Sequence, residues 1–342
     1  IGYTYNWFYA DDRQIAYFNS GANPVHAPHV DPTLPVAAAF EWRGFDPQTQ
    51  TADYTPFDQH PQVTNQDFIT SWNNKQAPAY SASGSQYASV YRSQLLDDRI
   101  RPLIAGGRKT TLPALVGAME DAGTVDLRAD RDLPQILAVL GHPTDPQLAA
   151  AAAELEAWHA DGSHRIDRTG SGAYAHAHAI AILDAWWPLL VPGEFEPALG
   201  PDLYRQLTAQ LPIDDPPNSG SGMSHVGSAY DTGWFGYVEK DLRHLRGLPE
   251  AGPYHRVYCG GGVLAACRAM LADTLGQSIA RAADPSTLYA DPTCAAAGRP
   301  GDQACFDSIS FRPIGITTVP LMPWVNRPTY QQAVEIPAHR PR

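Results

Sequence analysis

Positive charge is scarce in this sequence: 24 Lys and Arg stand against 36 Asp and Glu, for a net charge of −12. The basic residues form no long run. Phosphate backbones are held by clustered Lys and Arg, so a nucleic-acid-binding surface is excluded. Long apolar runs are also lacking. No segment reaches the roughly 18 consecutive apolar residues that a membrane-spanning helix needs, and the nearest, Ala173 to Val191, is broken by His176, His178, Asp184 and Pro188. The opening Ile1-Gly2-Tyr3-Thr4-Tyr5-Asn6-Trp7 has no initiator Met, basic head or cleavage pattern, and reads as a strand in mid-fold. Such an opening implies a chain cut from something longer, any export signal having gone with the upstream part.

Cysteine is sparse and late: Cys259 with Cys267, and Cys294 with Cys305. Neither spacing is that of a zinc knuckle, and no histidine sits beside them. Two local disulfides are the preferred reading, with free core cysteines as the alternative; disulfides imply an oxidising compartment. What is plentiful is apolar material, 44% hydrophobic against 18% charged over 342 residues. That suffices for a sizeable core, in one large domain or two ordinary ones.

Residues 3–10 and 15–21 alternate like paired strands, with Asp11-Asp12-Arg13 as the turn. From Asn23 to Asn65 the chain is irregular but aromatic, and Phe40, Trp42, Phe45, Tyr54 and Phe57 are expected to anchor it to a surface. Phe68 to Trp72 reads as a strand ending at Asn73-Asn74-Lys75. From about Gln86 the period turns helical, with further helices at 112–121, 131–140, 145–160, 232–246 and 262–283. Thr144-Asp145-Pro146 is a strong start signal, a capping residue followed by Pro in the first turn. The 173–191 segment is apolar on nearly every face and belongs inside. Strands return near 307–312 and 329–336. Strands, helices and strands again predict one sheet whose ends meet, with the helices as an excursion from it.

Most candidate chemistry has a bland reading that fits better. His176 and His178 are two apart in a helix, which splays them to different faces, and His26 and His29 lie in a Pro-rich loop. Gly170-Ser171-Gly172 and Gly220-Ser221-Gly222 lack the spacing of a nucleophile elbow. Gly260-Gly261-Gly262 has no Lys and Ser/Thr after it, so a helix start with close packing is favoured over a phosphate loop. Glu154/Glu156 and Asp214/Asp215 read as solvated surface. Asn73 and Asn74 are different, because two adjacent amides after an aromatic strand end are costly unless each is satisfied. Either they make a turn, or one amide donates to a developing oxyanion.

Several motifs, in order, resemble the β-subunit of penicillin acylases. Tyr5-Asn6-Trp7-Phe8-Tyr9-Ala10-Asp11, with Ile15-Ala16-Tyr17 and Ser20-Gly21, is similar to the family's first hairpin. Asp31-Pro32-Thr33-Leu34-Pro35-Val36, Glu41-Trp42-Arg43-Gly44-Phe45 and Phe68-Ile69 through Trp72-Asn73-Asn74-Lys75 follow, and then Tyr91-Arg92. The match is strong to about residue 100, looser through the helices, and visible again from about Gly227.

The resemblance implies an α+β chain forming part of an αββα N-terminal-nucleophile hydrolase sandwich with a large helical insertion. Residues 1–84 would belong to the core with its active-site strand, 85–283 to the insertion, and 284–342 to the return to the core sheet. It implies hydrolysis of a linear amide by an N-terminal serine whose α-amino group is the base, after self-cleavage of a precursor. Asn73 corresponds to the side-chain oxyanion donor, Arg92 to an arginine near the active site, and Tyr5 to a side chain lining the acyl pocket. Ile1 is no nucleophile, so the serine is expected on the α-subunit or N-terminal β-subunit portion of the same precursor, the implied partners. No redox or nucleotide cofactor follows. For the family's structural calcium, Pro32 fits a carbonyl ligand, but the region expected to supply an aspartate reads Ser81-Ala82-Ser83-Gly84-Ser85. The location implied is secreted or periplasmic. The alternatives are an acyl-homoserine-lactone or lipopeptide acylase of the same superfamily, and a non-catalytic binding protein on this scaffold.

Overall fold

Asp11 closes the first hairpin in the way its side chain favours. Its Oδ1 accepts the backbone N–H of Arg13 at 2.8 Å and of Gln14 at 2.7 Å, an Asx-type turn. The computed structural model describes residues 5–31, 34–77, 91–211, 213, 227–228, 234–250, 256–309, 322–323 and 332–336. They divide into two compact units, Ile1–Ala118 with Gln332–Arg342, and Met119–Gln331. The content is mixed α+β.

In the first unit β1 (Tyr5–Ala10) pairs antiparallel with β2 (Ile15–Ser20), Tyr5 opposite Ser20 and Ala10 opposite Ile15. β3 (Gln62–Thr64) pairs with the other edge of β2, giving the order β1-β2-β3. Buried His60 fixes that edge: its Nδ1 lies 2.9 Å from the Asn19 carbonyl and its Nε2 3.1 Å from that of Thr55. The irregular stretch contains the short helix α1 (Ala38–Glu41) and is held mainly by backbone pairing. Val25 N–H bonds the Asp53 carbonyl and Arg43 N–H bonds that of Val25, while the Arg43 and Asp53 side chains meet at 2.7 Å. The expectation that aromatics anchor it holds only in part. Trp42 stacks on His26 and Phe57 packs on Phe18 of β2 at 4.8 Å, but Phe40 is 71% exposed.

A second expectation fails at Phe68–Trp72, which is not a strand. A strand needs a partner for its alternate N–H and C=O groups, and among the described residues none runs beside it. The segment follows α2 (Tyr91–Ile104) instead: Arg101 lies over the Phe68 ring at 5.1 Å and Thr70 Oγ1 donates to Asp97 at 3.0 Å. Likewise residues 332–336 form no strand, and 329–331 lie outside the described residues.

α3 spans Leu112–Gly123. The second unit is built on helices: α4 (Leu133–Leu140), α5 (Pro146–Ala160), α6 (Ala177–Leu199), α7 (Pro201–Gln210), α8 (Phe235–Leu245) and α9 (Leu264–Ala282). Asp145 caps α5 by accepting from Gln147 N at 2.8 Å and Leu148 N at 3.1 Å, a contact whose loss costs about 0.5–2 kcal/mol. α6 is the core helix, burying Ile180, Ile182, Leu183, Trp186, Trp187 and Leu190 among others. Truncating either tryptophan to Ala is expected to cost about 3–5 kcal/mol. Trp186 Nε1 donates to Thr274 Oγ1 of α9 at 2.9 Å. Gly193 lets the two helices close, since a Cβ there would lie 2.9 Å from the Met270 sulfur.

The short helices α10 (Pro285–Leu288), α11 (Pro292–Ala296) and α12 (Gln303–Phe306) follow. Both cysteine pairs are disulfides. Cys259–Cys267 ties a glycine turn to the first turn of α9, and Cys294–Cys305 clips α11 to α12. Gly260, at φ +58°, admits no side chain, because a Cβ would come within 2.3 Å of Cys267 N. Among the described residues β4 (Ser308–Ile309) pairs with β5 (Met322–Pro323), a partner close by in sequence, where loop closure costs least.

Candidate functional site

The residues singled out in the first unit converge on the loop after Thr70. Asn73 sits in the left-handed region at φ +63°, where Asn is tolerated better than most residues. Its Oδ1 accepts from Arg92 Nη1 of α2 at 3.1 Å. An amide whose oxygen is held by a guanidinium has its Nδ2 hydrogens turned the opposite way. Asn73 is exposed. Asn74 is used locally instead: its Oδ1 accepts from Trp72 N at 3.4 Å and its Nδ2 donates to the Lys75 carbonyl at 3.0 Å. Sequence alone left turn and donor open for the two asparagines; the geometry gives them different surroundings.

The loop is tied to the sheet as well as to α2. Asn6 Nδ2 of β1 donates to Ser71 Oγ at 3.0 Å. Tyr5, the neighbouring strand residue, lies on the opposite face of β1. Tyr5 is exposed, as are Trp7, Phe8 and Tyr9, each between 51% and 58%. A cleft of about 370 Å³ borders the loop, lined by Tyr17, Val63, Ile69, Ser71, Asn74 and Gln76. Two atoms here are buried without a partner among the described residues, Trp72 Nε1 and Gln76 Oε1.

Ile1, Pro32 and Ser81–Ser85 lie outside the described residues. Among the described residues no group of three or more His, Cys, Asp or Glu is placed to hold a metal ion. The histidines are engaged singly: His178 with Glu154, His176 with Asp161, His159 with the Ala129 carbonyl.

Charge is concentrated in the second unit, where sequence gave no signal. Arg165 bonds Asp307 at 2.7 Å, Asp184 at 2.9 Å and Asp126 at 3.1 Å, and Arg128 bonds Asp126 at 2.6 Å and Asp184. Both guanidinium side chains are fully buried. Tyr174 donates to Asp307 and Tyr289 to Asp184, each at 2.8 Å. Burial alone would raise the Asp184 carboxyl, but Arg165 and Arg128 outweigh it and hold it below the usual carboxylate range. Every member has partners, which marks a structural knot. Glu194 and Asp132 shift the other way from Asp184. Both are fully buried, and burial first, then neighbouring carboxylates, pushes both well up, the Glu239 backbone N–H offsetting this in part at Asp132.

Against this geometry, the family model described as penicillin amidase matches residues 1–243. No curated protein matches the chain in sequence. Among solved structures, a thermostable penicillin G acylase from Alcaligenes faecalis is similar in fold, with a TM-score of 0.56 at 18% identity. The likeness covers 86% of this chain and 48% of that one, so the chain spans about half its length. Among the described residues no helix is long and apolar enough to cross a membrane.

Proposed function

The chain belongs to the penicillin amidase family, and on that premise we propose that it is part of a hydrolase acting on linear amides through an acyl-enzyme. The nucleophilic serine lies in parts of the protein outside this chain, at a chain N-terminus, where its α-amino group is the base. That amine has a reference pKa of about 8, near working pH. It takes the hydroxyl proton as the serine oxygen attacks the amide carbon. The carbonyl oxygen gains charge, and Asn73 Nδ2 donates to it. The ammonium then gives its proton to the leaving amine as the C–N bond breaks, and water repeats the sequence on the acyl-enzyme.

The observation that carries this reading is the Arg92–Asn73 hydrogen bond. It fixes which way the amide faces before substrate arrives, and a donor set in advance stabilises developing charge without reorganising. The partners are the remaining parts of the same precursor, whose strands extend β1 to complete an αββα sandwich; the exposed aromatics of β1 fit an edge that another strand covers. The disulfides fit a secreted or periplasmic location. The test is intact-mass spectrometry of the complete enzyme, quenched early with a phenylacetyl or short acyl amide. An acyl adduct on an N-terminal serine is expected. Turnover with no adduct anywhere under burst conditions would sink the acyl-enzyme, and an adduct on an internal residue would sink the N-terminal nucleophile.

A further inference from the structure

β1 inverts the usual strand pattern: its aromatics Tyr5, Trp7, Phe8 and Tyr9 are exposed, while the polar Asn6 is half-buried. Asn6 is held on both sides of its amide. Oδ1 accepts from Tyr17 Oη at 2.7 Å and from Asn19 Nδ2 at 2.9 Å, which fills both lone pairs and leaves Nδ2 facing Ser71. Ser71 itself is exposed. Its hydroxyl could be satisfied by water at no cost, so the bond from Asn6 is not required to avoid a buried orphan. Its consequence is geometric. Thr70 is held by Asp97, Ser71 by Asn6 and Asn73 by Arg92, so β1 and α2 grip the loop from two directions.

We propose that Asn6 is a positioning residue for the reaction: through Ser71 it fixes the backbone that carries Asn73, and so sets where the oxyanion donor points. The inference rests on the hydrolase reading above. Arg92 alone fixes the rotation of the Asn73 amide. The Asn6–Ser71 bond fixes the height of the loop over the sheet, the coordinate along which a misplacement of about 1 Å is expected to cost as much as a hundredfold in rate.

The test uses Ser71→Ala in the complete enzyme, a change at an exposed residue that leaves the buried Asn19 and its partners intact. It is expected to lower kcat roughly ten- to a hundredfold with KM and melting temperature almost unmoved, because the donor acts in the transition state and not on the bound substrate. Ser71→Thr keeps the hydroxyl and restores kcat. Asn6→Ala lowers kcat as well, and adding Ser71→Ala to it slows the enzyme no further, since both remove one link. Parent-like kcat in Ser71→Ala, a loss carried by KM, or effects of the two substitutions that multiply would each overturn the assignment. Asn73→Ala separates the two levels. If it nearly abolishes turnover while Ser71→Ala does nothing, the positioning role alone fails; if it turns over normally, the oxyanion reading fails and the positioning role with it.

Discussion

Replacing Arg165 with Met keeps most of the side-chain volume and removes the charge that three aspartates share. In the parent protein Arg165 and Arg128 face Asp126, Asp184 and Asp307 in a fully buried setting. Without Arg165, Asp307 loses its guanidinium and Asp184 keeps Arg128 as its cation. Breaking a buried pair by removing one partner costs about 3–5 kcal/mol, because an uncompensated charge stays in the interior. For a unit the size of Met119–Gln331, about 2–4 °C is lost per kcal/mol, so the melting temperature should fall by about 6–20 °C. The pH dependence gives a second reading. The Asp184 carboxyl is held below its ordinary value in the fold, so its stabilisation is present above the unfolded-state value, about 3.9, and is lost as pH falls through the folded one. In Arg165→Met the buried carboxylates share one guanidinium fewer. Proton uptake as pH falls toward 4 relieves part of their charge burial in the variant while the parent still keeps its stabilisation, so the gap between the two should narrow. Differential scanning calorimetry at pH 7 and at pH 4.5 measures both. A drop under 3 °C at pH 7, or a gap that widens on acidification, would refute the reasoning.

Non-reducing peptide mapping should recover Cys259 joined to Cys267 and Cys294 to Cys305, and replacing either pair with serines should cost about 2.5–3 kcal/mol by the entropy of such short loops; free thiols or crossed pairs contradict this. Glu194→Gln should stabilise the second unit, since the carboxyl is fully buried and is pushed up by burial and by the Asp241 carboxylate. A raised carboxyl lowers stability as pH climbs above its unfolded value, about 4.3, so the gain should grow between pH 5 and pH 8 in thermal melts; a gain that shrinks over that range contradicts it.

Local signals were the legible ones. Asp145-Pro146 states a helix start, and Asp145 caps α5; the Asp11 turn and the β1–β2 hairpin follow from adjacent residues. Asn73 stood out because paired amides demand partners, and Arg92, 19 residues on, supplies one to it. Phe68–Trp72 misled because aromatic and β-branched content describes a surface that wants covering, and α2 covers it in place of a strand. The knot around Arg165 was invisible for a different reason: Asp307 lies 142 residues away, and a lone Asp or Arg in sequence reads as surface until the fold brings its partner.

The most direct test of the central claim is the turnover of Asn73→Ala beside Asn74→Ala in the complete enzyme. Loss of one oxyanion donor costs roughly a hundred- to a thousandfold in kcat, about 2.7–4 kcal/mol. Asn73→Ala should lose that much with little change in melting temperature. Asn74→Ala, whose amide closes the turn through Trp72 and Lys75, should keep kcat within a few-fold and lose some stability. Near-normal kcat in Asn73→Ala, or the larger catalytic loss in Asn74→Ala, would contradict the account.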